Sequence, residues 1–154
     1  MEIERKFLID KLPSGIDLSS YKCRRIEQGY LCSEPVVRVR RDNDDYYLTY
    51  KSKGLMVREE YNLPLTADAY NSLITKADGY IITKNRYEIP EKDNLTIELD
   101  IFEGEFSGLM LAEVEFDSEQ AALSYTPPVW FGRDVTNEKT YHNSNMAQHG
   151  LQKM

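Results

Sequence analysis

The sequence predicts an α+β fold that is mainly antiparallel β-sheet. Apolar and polar residues alternate with period two in segment after segment, while helical periodicity is confined to two short stretches. Turn-forming clusters such as DNDD at 42–45 punctuate those segments. Tyrosine dominates the aromatics, with 11 Tyr against 5 Phe and 1 Trp. Together with abundant Val, Ile and Thr, that excess suits pleated, half-buried surfaces.

The first expected strand runs from Ile3 to Ile9, the second from Arg25 to Leu31 and the third from Val36 to Arg41. Asp42–Asp45 reads as a hairpin turn into the fourth, Tyr46 to Ser52, and Ser52–Gly54 as the next turn, into the fifth, Met56 to Leu63. Thr66 to Lys76 follows as a helix, with Thr66 as cap after Pro64. Strands six to eight are expected at Ile81 to Ile89, Thr96 to Glu103 and Leu109 to Phe116. A second helix, Ser118 to Ser124, starts on a Ser cap and is stopped by Pro127 and Pro128. The tail after Tyr141 has the weak pattern of a short helix. No repeat or linker divides the 154 residues, so one domain is expected over 1–154.

Lys plus Arg is 19 against 26 for Asp plus Glu, a net charge of −7. Such a chain repels nucleic acid and anionic membrane unless its bases are clustered, so neither is an expected partner. Cys23 and Cys32 form no CxxC pair, and with His142 and His149 they make no ordinary zinc site. A reduced, cytoplasmic setting is the expectation, with neither signal peptide nor membrane span. No P-loop, Gly-rich dinucleotide turn, HExxH or GxSxG occurs.

Side chains alternate across a strand, so residues two apart share a face. One face collects Glu2, Glu4 and Lys6; Arg38 and Arg40; Lys51 and Lys53; Arg58 and Glu60; Lys84, Arg86 and Glu88; Glu98 and Asp100; Glu113 and Glu115. Taken strand by strand, an ordinary sheet with its charges in water gives the same alternation. The sorting argues otherwise: acids pair on the first, seventh and eighth strands and bases on the third, fourth and sixth, whereas solvated faces usually mix signs. These faces hold equal numbers of acids and bases, so the whole excess of negative charge lies outside them.

A basic cluster beside an acidic one suits a polyanion held by Lys and Arg on one side and by carboxylate-bound divalent metal on the other, which is phosphate chemistry. Crowded Glu-x-Glu carboxylates repel by roughly 4 kcal/mol at ~4 Å and an effective dielectric near ~20. A divalent cation removes that cost, and oxygen-only ligands select Mg²⁺ or Mn²⁺ over zinc.

These residues resemble a known family. EIERK at Glu2–Lys6 is similar to the ExExK motif of the CYTH superfamily, the triphosphate tunnel metalloenzymes. It is followed in order by QGYL (Gln28–Leu31), RVR (Arg38–Arg40), LTYKS (Leu48–Ser52), REEY (Arg58–Tyr61), KNRY (Lys84–Tyr87), ELDIFEG (Glu98–Gly104) and LMLAEVEF (Leu109–Phe116). WFGRDVT and KTYHNSNMA near the end also resemble short bacterial members. The resemblance implies an eight-stranded antiparallel closed β-barrel, a tunnel with a charged interior and helices outside, whose tail plugs one mouth in some relatives. Asp134 and His142 stand where close relatives often carry Glu and Lys.

By motif, the resemblance implies that Lys6, Arg38, Arg40, Lys51, Arg58, Lys84 and Arg86 hold triphosphate oxygens, with Lys53 a second choice. It implies Mg²⁺ or Mn²⁺ on Glu2, Glu4, Glu113 and Glu115, with Glu60, Glu98 and Asp100 as second choices. Glu4 or Glu115 is the expected general base, and Tyr30 either orients the leaving group or water or simply packs a neighbour. The implied activity is cleavage of inorganic tripolyphosphate to pyrophosphate and phosphate. Class IV adenylate cyclase, thiamine or nucleoside triphosphatase, and a catalytically idle polyphosphate-binding module stay as alternatives. The expected partner is a triphosphate-containing small molecule, and a homodimer is left open by analogy.

Overall fold

A computed structural model describes residues 1–151. It contains nine strands: β1 (Glu2–Leu8), β2 (Lys22–Ser33), β3 (Val36–Asp42), β4 (Asp45–Lys51), β5 (Val57–Arg58), β6 (Glu60–Pro64), β7 (Asp78–Pro90), β8 (Thr96–Glu103) and β9 (Met110–Glu115). Three helices accompany them: α1 (Ala67–Ile74), α2 (Glu119–Ser124) and α3 (Asn143–His149). None is long and apolar enough to cross a membrane.

All ladders are antiparallel, in the order β5-β1-β9-β8-β7-β2-β3-β4-β6. The eight expected strands are all present, with one correction: the fifth is two. Glu59 breaks it, donating its N–H to Ser52 Oγ (2.9 Å) and accepting from Ser52 N (3.0 Å). The first half, β5, pairs with β1 through Glu2↔Arg58, and the second, β6, pairs with β4 through Lys51↔Glu60. One chain segment thus joins the two ends of the sheet, and the ring closes through covalent backbone at Glu59. Beyond β5, the segment 132–135 lies along the same edge of β1, with Gly132 N donating to Leu8 O (2.8 Å) and Val135 N to Lys6 O (2.8 Å). Closure leaves little unpaired edge.

The turn at 42–45 is the expected hairpin, with Asn43 at φ 54° and its side chain accepting from Arg25 N (2.9 Å). Thr66 and Ser118 cap α1 and α2 as expected, each accepting an N3 amide hydrogen bond at 3.1 Å. α1 lies over β2, β3 and β4, and Gly29 is where its end presses on the barrel. A Cβ there would meet Ala77 Cβ at 2.7 Å and Ile74 Cδ1 at 2.8 Å. α2 covers β1, held by Arg5 Nη1 to the Ala122 (2.9 Å) and Tyr125 (3.0 Å) carbonyls.

Two apolar cores result. One lies outside the barrel, where Ile3, Phe7, Leu99, Ala112 and Val114 pack under Ala122 and Tyr125. The other lies at one end of the interior. Ile82, Phe102 and Leu111 share strand faces with Lys84, Asp100 and Glu113, yet pack with Val135 and with Met146 and Ala147 of α3. The expected tail helix therefore exists and sits against that end. Gly79, at φ 76°, admits it: a Cβ there would lie 2.0 Å from Ala147 O.

Candidate active site

The inward faces converge on a polar cavity of about 180 Å³, room for about six waters at ~30 Å³ each. Ladder register explains who meets whom. Glu4 faces Glu115 and Lys6 faces Glu113 across β1–β9; Glu98 faces Glu113 across β8–β9. Gln28 faces Arg40 and Tyr30 faces Arg38 across β2–β3. Of the residues expected from sequence, Glu2, Glu4, Lys6, Tyr30, Arg38, Arg40, Lys51, Arg58, Glu60, Lys84, Arg86, Glu98, Glu113 and Glu115 line this cavity together.

Three expected residues are placed elsewhere. Lys53 is exposed beyond the end of β4, because strand alternation stops at Lys51. Asp100 is fully buried behind the cavity wall, accepting from Arg86 Nε (2.7 Å) and Nη2 (2.8 Å) and paired with Lys84 Nζ at 2.8 Å. With its oxygens committed to two cations, it is an anchor for bases rather than a metal ligand. Glu88 lies outside as well, 3.5 Å from Lys22 Nζ.

The cavity has a cationic wall with spare charge. Arg38 and Arg40 are 5% and 7% exposed, and among the described residues neither forms an ion pair. Arg38 Nη2 donates to Thr49 Oγ1 (3.0 Å) while its Nε has no partner. Arg40 Nε donates to Gln28 Oε1 (2.7 Å). Burial, then the charge of Arg40, pushes the Arg38 guanidinium below its ordinary value. Lys84 is pushed down to about 7 by burial, with Asp100 opposing the shift. Two buried guanidiniums outside any ion pair are costly, and a bound anion is what relieves them.

The carboxylates divide into two kinds. Glu113 is held ionised, well below the usual range: burial opposes this, but Lys6 and Arg86, each 3.4 Å away, outweigh it. Glu4 is pushed up by burial and then by Glu113, and Glu115 by burial and then by Glu60. Glu2 is raised to about 8 by burial and then by Glu4, with Lys51 opposing the shift. Its Oε1 has no hydrogen-bond partner, although Arg58 Nε stands 3.5 Å away.

Hard oxygens crowded until they resist ionisation are the chemistry a divalent cation satisfies. No three acidic, His or Cys groups are gathered as a ready cage among the described residues. Glu2, Glu4 and Glu115 are the residues here that suit such an ion.

Sequence reasoning missed several members. Arg24 donates to Asp42 and to Glu98 Oε2 (3.2 Å) at the cavity edge; extending the alternation of β2 backwards would have found it. Gln28 and Asn143 carry no charge signal. Asn143 Oδ1 accepts from Lys84 Nζ (2.9 Å) and Gln28 Nε2 (3.1 Å), tying the start of α3 to the cationic wall. His142 donates Nε2–H to Thr136 O (2.7 Å) and is pushed down to about 4 by burial and then by Lys6.

His142 binds its proton less readily in the folded chain than at its ordinary 6.5, so its contribution to stability is present above pH 6.5 and is lost as pH falls through about 4. Glu2 has the opposite sign: its contribution is complete below about 4.5 and is lost as pH rises through about 8. Comparison of wild type with His142→Gln isolates the histidine. The two unfolding free energies are expected to run parallel above pH 6.5. The wild type should then lose up to roughly 3 kcal/mol relative to the variant by pH 4, measured by urea titration at each pH. Parallel curves throughout would refute the assignment.

Comparison with known proteins agrees with this architecture. Residues 1–126 match the CYTH domain. An inorganic triphosphatase of Nitrosomonas europaea is 40% identical over 149 residues, covering 95% of this chain and 96% of that protein. One of Acetivibrio thermocellus is 37% identical over 153 residues, covering 96% and 93%. A crystal structure of an inorganic triphosphatase superposes with a TM-score of 0.71 at 35% identity, over 99% of this chain and 97% of the other. The ExExK strand, the charged tunnel and the extent of these matches place the chain in the CYTH domain family.

Proposed function

We propose that this chain is a metal-dependent inorganic triphosphatase that hydrolyses tripolyphosphate to pyrophosphate and phosphate. The observation that carries the reading is the buried, uncompensated pair Arg38 and Arg40, facing carboxylates that resist ionisation. A compact polyanion with several oxygens per phosphorus satisfies the first, and an accompanying divalent cation the second.

Arg38, Arg40, Lys6, Lys51, Lys84 and Arg86 grip phosphoryl oxygens and hold the terminal phosphorus in line. Asp100 and Glu113 keep Lys84, Arg86 and Lys6 aimed inward. Glu2 and Glu4 would hold a Mg²⁺ or Mn²⁺ ion, which when bound would supply charge neutralisation and lower the pKa of water. Glu115, across the ladder from Glu4 and raised above its ordinary value, accepts the proton from the attacking water. The new bond joins water oxygen to the terminal phosphorus. The bridging P–O bond breaks, and pyrophosphate leaves.

The test is phosphate release from tripolyphosphate, ATP and thiamine triphosphate, each with Mg²⁺, Mn²⁺ or EDTA. Tripolyphosphate should have the highest kcat/KM, and EDTA should abolish turnover. Cyclic AMP as the main product from ATP would replace this reading with a cyclase. Tight binding of tripolyphosphate without turnover would leave a polyphosphate-binding module.

A further inference from the structure

Beside the tunnel lies a second cavity of about 360 Å³, where the β2–β3 turn, the segment 52–55 and α3 meet. Its wall shares Val36, Arg58, His142 and Ser144 with the tunnel. Beyond these it adds Lys53, Lys139 and His149, against a single carboxylate, Glu34. Among the described residues neither Lys53 nor Lys139 makes an ion pair, and Ser52, Asn145 and Gln148 add neutral polar groups. In a chain of net charge −7, the charged groups this wall adds are thus two lysines against one glutamate.

The other end of β3 offers a contrast. Val36 opens that strand beside the second cavity, and Asp42 ends it at the hairpin. The hollow there shares Arg38, Arg40, Tyr47 and Glu60 with the tunnel, and its additional charged residues are Asp44 and Asp45. An anion leaving the cationic wall therefore meets carboxylates toward the hairpin and ammonium groups toward α3.

We propose that the second cavity is a phosphate-chain vestibule, which binds the phosphoryl groups of a linear inorganic polyphosphate beyond those gripped in the tunnel. This deepens the triphosphatase reading and rests on it for the position of the first three phosphates. Each phosphate past the third carries further negative charge, and Lys53 and Lys139 are flexible point charges suited to a chain without fixed geometry. The lysine displaced from the tunnel thereby acquires a role of its own.

The test uses the double variant Lys53→Gln/Lys139→Gln beside a control of equal charge change, Lys11→Gln/Lys76→Gln, whose lysines are exposed and line neither cavity. Long-chain linear polyphosphate is titrated as a competitor of tripolyphosphate hydrolysis. The vestibule variant should raise the inhibition constant of the long chain about tenfold while leaving kcat and KM for tripolyphosphate within twofold. The control should change neither. An unchanged inhibition constant, an equal rise in the control, or a matching rise in KM for tripolyphosphate would overturn the proposal. Should the wild type fail to hydrolyse tripolyphosphate, the function proposed above fails. Calorimetric binding of the long chain to the same three proteins then decides the vestibule by the same tenfold criterion.

Discussion

Arg38→Met is expected to lower kcat/KM for tripolyphosphate by about 10²- to 10³-fold while leaving the unliganded protein as stable as wild type, or more so. Arg38 is buried, its Nε lacks a partner, and its Nη2 donates to the neutral Thr49 Oγ1. Replacing a buried charge by an apolar side chain of similar length removes a desolvation cost of several kcal/mol. Stability gains of about 1–4 kcal/mol have that origin in buried ionic groups. Activity and stability thus move in opposite directions, as they do where a site stores unfavourable charge for its ligand. Urea unfolding and steady-state kinetics on one preparation check both signs. A variant that loses stability and activity together would mean that Arg38 is structural.

Asp100→Ala is expected to do the reverse and to cost about 3–5 kcal/mol of folding stability. The carboxylate is completely buried, accepts two hydrogen bonds from Arg86 at 2.7 and 2.8 Å and forms an ion pair with Lys84 at 2.8 Å. Removing it takes the carboxylate partner from Lys84, whose side chain is 1% exposed, and leaves Arg86 with only the longer contacts to Glu98 and Glu113 at 3.4 Å. In a domain of this size such a loss lowers Tm by on the order of 10 °C. Tripolyphosphate, by supplying negative charge to the same wall, should restore part of it, with a rise in Tm that grows with ligand concentration. A loss below ~1 kcal/mol would show that Lys84 and Arg86 find other countercharge.

Much of the barrel was legible because one face of each strand is packed and the other charged, so period two survives from Ile3 to Phe116. Charge sorting carried the interior: Arg38 with Arg40, and Glu113 with Glu115, pointed to a site where mixed signs would have pointed to water. What failed was local in each case. Lys53 continued the alternation of Lys51 past the point where β4 ends. Asp100 points inward as its spacing requires, but spacing does not distinguish a carboxylate facing open space from one facing two cations. The break at Glu59 follows from hydrogen bonds to Ser52, seven residues back, and no periodicity encodes it. Gln28 and Asn143 are neutral, and Asn143 reaches Lys84 across 59 residues of sequence. Such partners become visible only when the chain has folded.

The Arg38–Arg40 wall and the Glu2–Glu4–Glu115 wall are proposed to act together on one phosphoanhydride bond. Phosphorus NMR of tripolyphosphate turnover tests it most directly, run with Mg²⁺ on wild type, Arg40→Met and Glu4→Gln. Pyrophosphate and orthophosphate should accumulate one to one in the wild type, with turnover at least ~10²-fold slower in both variants. Undiminished turnover in either variant, or products from ATP but none from tripolyphosphate, would contradict it.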